Sequence, residues 1–273
     1  MNDAVKLHYA RANLGEAILA ALAAAGKDPE RLDPDDLAPL DEFHLRGRAA
    51  TLELARAAGL RAGQEVLDVG CGIGGPSRRI ARDFGCRVTG VDLSEEYCRV
   101  ATLLAARTGL AARCRYRAAD ALALPLDEAS YDVVWSQHAA MNVADKAGFY
   151  GEMHRVLKPG GVLALYDVLA GPGGAVHLPS PWARSEETNF LVAPDALRAL
   201  LESAGFSITD WHDDSDVARD WFASRAKSAR DAAPPALGLQ LLLGADFAPM
   251  ARNQVRNLTE RRIVVFRVTG RKR

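Results

Sequence analysis

An apolar strand that runs directly into a glycine-rich loop is the feature that most constrains this fold. Residues 66–75 read VLDVGCGIGG, and four of the last six are glycine. Glycine permits a tight turn and lets a ligand approach the backbone, and the helix after such a loop points N–H groups at that ligand. Gly70, Gly72 and Gly75 satisfy the spacing G-x-G-x-x-G, and Asp92 follows Gly70 by 22 residues, where a carboxylate can accept hydrogen bonds from ribose hydroxyls. The sequence therefore predicts a nucleotide-like ligand at a strand–loop–helix unit.

The chain beyond this loop alternates between strand and helix patterns. From Glu65 onward, short apolar runs alternate with helical segments, which is typical of βαβ units and a parallel sheet. We predict an α/β fold with a Rossmann-like, doubly wound, mostly parallel seven-stranded sheet. Its strands are expected near residues 65–70, 86–92, 113–120, 131–137, 161–169, 206–211 and 263–269. Its helices are expected near residues 75–84, 95–108, 145–157, 194–205 and 216–230.

Two regions are expected within the 273 residues, of which 49% are hydrophobic, enough for a sizeable core. Residues 1–60 read as helices and are predicted to form an N-terminal helical cap, or lid. Residues 61–273 are predicted to form the ligand-binding domain, with an insertion on the substrate side at about residues 172–260.

Charge and cysteine content limit the partners and the compartment. The net charge of −1 provides no field to attract nucleic acid or anionic lipid, although Arg78, Arg79 and Arg82 leave room for a local basic patch. Four cysteines without a Cys-x-x-Cys pair suggest neither zinc nor disulfides, which fits a cytoplasmic protein. The apolar run at residues 17–25 is too short to span a bilayer, and an Ala-rich helix ended by Gly26 explains it without export. We expect no nucleic-acid or membrane partner, and a homodimer is compatible with the sequence.

Two acids at predicted strand ends separate two ligands that the glycine loop leaves open, a nicotinamide dinucleotide and S-adenosylmethionine (SAM). Asp68 lies two residues before the first glycine, where a carboxylate can hold an ammonium group directly or through water but would repel a pyrophosphate. Asp120 ends the third predicted strand, where it can accept a hydrogen bond from an adenine amino group. Both positions favour SAM.

With a Lys-Pro-Gly-Gly turn at residues 158–161 before the fifth strand, residues 65–171 resemble the class I SAM-dependent methyltransferases. The resemblance implies SAM as cofactor, S-adenosylhomocysteine (SAH) as its product and a small-molecule methyl acceptor. It implies that Asp68, Gly70 and Gly72 line the methionine end and that Gln137 lies near the sulfonium. The residues predicted to bind the cofactor are Tyr9, Asp68, Gly70, Cys71, Gly72, Gly74, Asp92, Leu93, Asp120, Ala121 and Gln137.

Within this superfamily the chain is similar to sarcosine/dimethylglycine N-methyltransferases and to ubiquinone/menaquinone or tocopherol C-methyltransferases. The similarity rests on Tyr9 and Phe43-His44 in the helical cap, Trp135-Ser136-Gln137 at a strand end, and Pro181-Trp182-Ala183. Those relatives often carry a histidine a few residues past the fourth strand, where this chain has Met141-Asn142. A base at that point therefore cannot be carried over.

Methyl transfer from a sulfonium is an in-line displacement, so positioning supplies most of the catalysis and a nucleophilic side chain is not required. A general base helps for some acceptors. His138 is the first candidate base because it follows Gln137 at the end of a central strand, and His44 in the cap is the second. Trp182 is placed to meet the acceptor, and no metal is predicted.

Two alternatives compete with the methyltransferase hypothesis. An NAD(P)-dependent oxidoreductase could use the same glycine loop, but Asp68 would be badly placed against phosphate and no Tyr-x-x-x-Lys pair is evident. A non-catalytic module could keep the nucleotide pocket, and only an activity assay separates it from an enzyme. The identity of the acceptor, and whether nitrogen, oxygen or carbon is methylated, stay open at this point.

Overall fold

A computed structural model of the chain describes residues 2–9, 11, 13–228 and 237–273. In this part of the chain a seven-stranded sheet has the order β3-β2-β1-β4-β5-β7-β6. Strands β1 to β5 are parallel, whereas β7 lies antiparallel between β5 and β6. The strands are β1 (Glu65–Val69), β2 (Arg87–Asp92), β3 (Cys114–Ala118), β4 (Tyr131–Gln137), β5 (Leu157–Ala170), β6 (Phe206–Asp213) and β7 (Ile263–Lys272). The predicted mostly parallel, seven-stranded sheet is confirmed.

Eleven α-helices occur in the described residues. They are α1 (Asn2–Tyr9), α2 (Leu14–Ala24), α3 (Ala38–Asp41), α4 (Arg48–Ala57), α5 (Gly75–Phe84), α6 (Glu95–Arg107), α7 (Lys146–Val156), α8 (Pro194–Ser203), α9 (Ser215–Ser228), α10 (Gln240–Leu243) and α11 (Phe247–Thr259). None of the described helices is long and apolar enough to cross a membrane.

Alternating side chains give the sheet two apolar faces. On β4, Val133 and Trp135 pack into the same core cluster as α4 and α5, whereas Val134 packs into the cluster of α7 and α8. All three side chains are fully buried, as expected for a central strand with helices on both faces. Because successive side chains point to opposite faces, Asp68 on β1 is directed toward α5.

Two sequence predictions differ from the structure. The segment 158–161 is not a turn before β5 but an irregularity inside it, since Leu157 already pairs with Tyr131 and regular pairing resumes at Val162. Helix α11 was not predicted, although its buried residues Met250, Gln254 and Leu258 recur every four positions. The region predicted as an insertion, residues 172–260, contains α8 and also β6, which pairs with β7. The last two residues of the helix predicted at 216–230 lie outside the described residues.

The N-terminal cap is fastened to the glycine-loop helix by a buried ion pair. Arg78 of α5 donates to the Asp41 carboxylate of α3 and, at 2.7 Å, to the carbonyl oxygen of Ile73. Burial raises the pKa of Asp41 to about 6 even though the Arg78 charge opposes this shift. By contrast, α4, at the end of the predicted 1–60 cap, packs with α5 and β5 in one of the core clusters of the sheet.

The three arginines that could have formed a basic patch are all paired. Besides the Arg78–Asp41 pair, Arg79 donates to Asp35 at 2.7 Å, and Arg82 lies 3.2 Å from Asp33. Arg78 and Arg79 are also buried. These side chains therefore hold the cap on α5 and do not form an open cationic surface.

Candidate active site

A cavity of about 620 Å³ lies at the carboxyl ends of β1, β2 and β4, beneath the cap. This is where an open α/β sheet binds its ligands, because the strand order reverses between β1 and β4. Its walls include nine of the eleven predicted cofactor residues: Tyr9, Gly70, Cys71, Gly72, Asp92, Leu93, Asp120, Ala121 and Gln137. Both predicted histidines, His44 and His138, also line it.

The glycine loop turns sharply between β1 and α5. Its glycines adopt positive φ values of 79° at Gly70, 54° at Gly72 and 80° at Gly74, which side chains rarely adopt. A Cβ atom at Gly70 would lie 2.4 Å from the Cβ of Ala139, whereas at Gly72 it would meet nothing within 4 Å. Gly72 thus offers bare backbone to the open cavity.

Asp92 at the end of β2 holds the glycine loop. Its two carboxylate oxygens accept the backbone N–H groups of Gly72 and Ser94, each at 2.9 Å. Burial raises the pKa of Asp92, and these backbone hydrogen bonds oppose that shift. A carboxylate oxygen can accept more than one hydrogen bond, so Asp92 keeps capacity for ligand hydroxyls.

Asp68 and Gly74 lie behind the cavity wall. Asp68 is buried against α5, and its Oδ2 accepts a hydrogen bond from the Ser77 hydroxyl at 2.5 Å. Burial raises the pKa of Asp68 to about 7. Gly74 faces the ring of Tyr116, whose hydroxyl oxygen would lie 2.6 Å from an added Cβ. Gly74 therefore serves close packing of the loop onto β3 and not the cavity surface, and a contact from Asp68 to an ammonium group stays a prediction.

The predicted adenine and lid residues occupy opposite walls. Asp120 accepts the backbone N–H of Leu122 at 2.9 Å, which fixes the turn that follows β3. On the cap side, the Tyr9 hydroxyl donates to Asn142 Oδ1 at 2.9 Å. This hydrogen bond ties α1 to the segment after β4, so a cap helix closes the cavity above the sheet.

Gln137 is the last residue of β4, and its side chain is buried. Its Oε1 accepts a hydrogen bond from the Trp135 indole at 3.0 Å and lies 3.3 Å from the Thr51 hydroxyl oxygen. Its Nε2 is buried without a hydrogen-bond partner. These contacts fix the orientation of the amide and leave one donor unsatisfied at the cavity wall.

His138 adopts a backbone conformation that is unusual for a side-chain-bearing residue, with φ of 49°. Such strain is concentrated at functional sites, where the surrounding structure holds it. Its ring stacks on Tyr166 with centroids 5.5 Å apart, and its Nε2 has no hydrogen-bond partner. Burial, with the nearby His44, lowers the pKa of His138 well below its ordinary value, so its imidazole is neutral at neutral pH.

His44 forms a polar pair with Glu42, a residue that the sequence analysis did not select. His44 Nε2 lies 2.9 Å from Glu42 Oε2, and its Nδ1 lies 3.2 Å from the carbonyl oxygen of Leu45. The Thr51 hydroxyl also donates to Glu42, at 2.6 Å. Burial alone would raise the pKa of Glu42, but its bonds from His44 and Thr51 hold it below the ordinary value. Both ring nitrogens of His44 are therefore engaged with oxygen atoms.

Apolar side chains complete the wall opposite the glycine loop. Trp182 is 1% exposed, and its indole donates to Asn189 at 3.0 Å, so it is also an anchor of its loop. Further lining residues that the sequence analysis did not select are Met141, Trp221, Phe222, Leu239, Leu242 and Gln254. The carboxylate beside His44 was visible as a Glu-x-His spacing, whereas no sequence signal brings Trp221 or Gln254 to this cavity.

The described residues contain no cluster of three or more His, Cys, Asp or Glu side chains that could hold a metal ion. Arg46 and Arg48 are the arginines that line the cavity, and each is already paired with a carboxylate. The described wall thus offers no unpaired arginine or lysine for a pyrophosphate. This electrostatic pattern disfavours the oxidoreductase alternative.

The fold and the cavity are those of nucleotide-binding α/β proteins, and comparisons with known proteins identify the family. Residues 67–165 match the model of a methyltransferase domain. The chain is 32% identical over 190 residues to the methyltransferase GfsG of Streptomyces halstedii, covering 68% of this chain and 67% of GfsG. It also matches sterol and phytyl-hydroquinone methyltransferases, but spans only about a third of their length.

Solved structures share the same fold over nearly the whole chain. The [4+2]-cyclase SpnF superposes with a TM-score of 0.66 and 25% identity, covering 94% of this chain and 93% of SpnF. The geranyl diphosphate C-methyltransferase of Streptomyces coelicolor, solved with SAH, superposes with a TM-score of 0.71 and 20% identity, covering 99% and 97% of the two chains. The chain belongs to the class I SAM-dependent methyltransferases, and its cofactor is SAM.

The residues at the cavity fit this cofactor. SAM carries a cationic sulfonium and an ammonium group, and this side of the cavity presents Asp92 and Asp120, with Asp68 buried behind the loop. The bare backbone at Gly72 leaves space for a ligand to approach closely. The carboxylates and the open loop thus match a cationic nucleoside better than an anionic dinucleotide.

Proposed function

We propose that this protein transfers a methyl group from SAM to a small-molecule acceptor held between the cap and the sheet. The observation that carries the proposal is the single cavity wall shared by the Gly72 backbone, Asp92 and the β4 end at Gln137 and His138. Family membership supports the same reaction. The oxidoreductase alternative has no comparable support.

When bound, SAM supplies a methyl carbon on a sulfonium; the acceptor forms a bond to that carbon as the carbon–sulfur bond breaks, and the electron pair remains on sulfur in SAH. We assign Asp92 to the ribose, Asp120 and Ala121 to the adenine, and Gln137 to the reacting end. Tyr9, Cys71 and Leu93 line the remainder of this cofactor side. The cap excludes water, which strengthens the electrostatic interactions inside.

His138 is the proton acceptor in this proposal. A neutral imidazole retains one nitrogen lone pair, and His138 Nε2 makes no hydrogen bond. His44 is less suited to that task, because both of its nitrogens face oxygen atoms. We assign His44, with Glu42, to positioning the wall against which the acceptor lies.

The remaining assignments concern the location and the assembly of the protein. All four cysteines are free and buried, which supports a cytoplasmic location. The homodimer stays a prediction, as does the division into a cap at residues 1–60 and a catalytic domain at 61–273.

Calorimetric titration with SAH, run beside NAD⁺, tests the proposal. We expect SAH to bind, NAD⁺ to give no heat, and Asp92→Asn to weaken SAH at least about tenfold through loss of charge-assisted hydrogen bonds. Asp195→Asn, an exposed carboxylate on α8, is the matched control. Binding of NAD⁺ in place of SAH would overturn the proposal. Transfer of label from methyl-labelled SAM then separates an enzyme from a non-catalytic binding module.

A further inference from the structure

We propose that the acceptor is a neutral, largely apolar molecule that presents a hydroxyl group, and that Gln254 recognises a hydrogen-bond donor on it. This inference rests on the proposed function, because it concerns the part of the same cavity that the cofactor residues leave free. It narrows the acceptor from any small molecule to one chemical class.

The acceptor side of the cavity is mainly apolar. Aromatic and aliphatic side chains from the cap, the loop after β4, the loop after β5, and the segment between β6 and β7 meet there: Phe43, Met141, Trp182, Trp221, Phe222 and Leu242. The rings of Trp221 and Phe222 pack edge to face with centroids 4.8 Å apart. Such walls bind ligands chiefly through burial of apolar surface, with a few polar groups setting orientation.

The charged side chains on this wall already have partners. Arg46 lies 2.6 Å from Glu53 and 2.8 Å from Asp214, and Arg48 lies 3.1 Å from Asp35. Asp41 is paired with Arg78, and the Glu42 carboxylate is hydrogen-bonded to His44 and Thr51. An acceptor phosphate, carboxylate or ammonium would lose its hydration without gaining an opposite charge from these described residues, which is costly. Charge therefore selects for a neutral acceptor.

Polar recognition is provided at two places on this wall. Gln254 of α11 is 5% exposed, and its Oε1 has no hydrogen-bond partner. An unpaired buried amide oxygen is unfavourable, and a ligand donor satisfies it. At the β4 end, neutral His138 can take a proton from a hydroxyl group as its oxygen becomes methylated. A hydroxyl nucleophile needs no charged partner to bind, unlike an ammonium group.

Two neutral alcohols and their phosphate monoesters test whether the acceptor is a neutral molecule. We would titrate the SAH-loaded protein with 2-naphthol and farnesol, and with the phosphate monoester of each. We expect at least one neutral alcohol to bind, and its phosphate to bind at least tenfold more weakly. Equal or tighter binding of a phosphate would overturn the inference, as would the absence of binding by both alcohols. SAH loading is checked first, so failure of the cofactor site is distinguished from failure of the acceptor assignment.

The role of Gln254 is tested with a matched pair of ligands and variants. Gln254→Leu is expected to weaken 2,6-dihydroxynaphthalene, whose second hydroxyl group can donate to Gln254 Oε1, about tenfold and to leave 2-naphthol, which has no second donor, within about twofold. Val255→Leu on the exposed face of α11 is the control, and it should change neither. Equal loss of both ligands in Gln254→Leu would indicate only a packing role and would overturn the assignment. Label transfer from methyl-labelled SAM that yields 2-methoxynaphthalene, and not 1-methyl-2-naphthol, would identify the oxygen of 2-naphthol as a competent nucleophile.

Discussion

The Ser77 hydroxyl donates a 2.5 Å hydrogen bond to Asp68 Oδ2, so the α5 helix holds a buried carboxylate directly behind the glycine loop. Burial raises the pKa of Asp68 to about 7, compared with about 3.9 in an unfolded chain. A group whose pKa is raised by folding contributes stability that is fully present below its unfolded pKa. That contribution is lost as the pH rises through the folded pKa, here between about 4 and 7.

The first prediction concerns the effect of pH on the stability contributed by Asp68. Asp68→Asn should stabilise the ligand-free protein at pH 8 by about 1 to 3 kcal/mol, because it removes a buried charge, and should have little effect at pH 4. The same change should weaken SAH binding, because an ammonium group loses its nearby carboxylate. Urea unfolding at both pH values and calorimetry measure the two effects, with Ser77→Ala as a control that keeps the charge. A variant less stable than the natural protein at pH 8 would contradict the buried-charge account.

The second prediction compares two glycines with similar backbones. Gly72 and Gly59 have φ of 54° and 66°, and an added Cβ would meet nothing within 4 Å at either position. Replacing either glycine with alanine should therefore lower stability by about 1 to 2 kcal/mol, because a residue with a Cβ atom is strained in the left-handed conformation. In Gly72→Ala the methyl group also enters the cavity, so SAH affinity should fall at least tenfold. Gly59→Ala should bind SAH normally, and equal affinities for the two variants would place the ligand elsewhere.

The sequence predicted the sheet, and nine of the eleven residues predicted to bind the cofactor line the cavity, because both depend on local signals. The apolar runs of β1 and β4 have the period and length of buried strands, and glycines at 70 and 72 are required by positive φ. Parallel strands bring their carboxyl ends to one edge, so the positions of Asp92 and Asp120 in the wall follow from topology. The pattern could not show that Asp68 and Gly74 lie behind the wall, because that depends on packing against Ser77 and Tyr116.

The acceptor side could not be predicted for a physical reason. Trp221 and Gln254 line the cavity from helices without a characteristic spacing, so only tertiary contacts bring them there, whereas the Pro-flanked Trp182 was predicted to meet the acceptor. The ion pairing of the three arginines on α5 could not be predicted for the same reason. Their carboxylate partners, Asp41, Asp35 and Asp33, lie in the cap, 37 to 49 residues earlier in the chain.

The third prediction concerns the Glu42–His44 pair. Replacing His44 with Gln removes the imidazole that lies 2.9 Å from the buried Glu42 carboxylate, which should cost about 1 to 3 kcal/mol of stability. The double change Glu42→Gln with His44→Gln also removes the buried carboxylate and should recover a large part of that loss. Chemical denaturation of the two single variants and the double variant gives the coupling energy. If the stability loss of the double variant equalled the sum of the losses of the two single variants, the two side chains would not be energetically coupled.

The fourth prediction assigns proton transfer to His138. His138→Asn should lower kcat for a hydroxyl acceptor by about 10² to 10⁴, the range for loss of a general base, while SAH affinity stays within about twofold. Because burial holds the pKa of His138 well below its ordinary value, the natural enzyme should keep its rate down to about pH 6, since the imidazole is neutral throughout that range. Single-turnover transfer from methyl-labelled SAM, measured across pH, gives the rate without product release. His154→Asn is the control, since His154 packs on Phe206 away from the cavity. A His138→Asn rate near that of the natural enzyme would show that positioning alone supports the reaction.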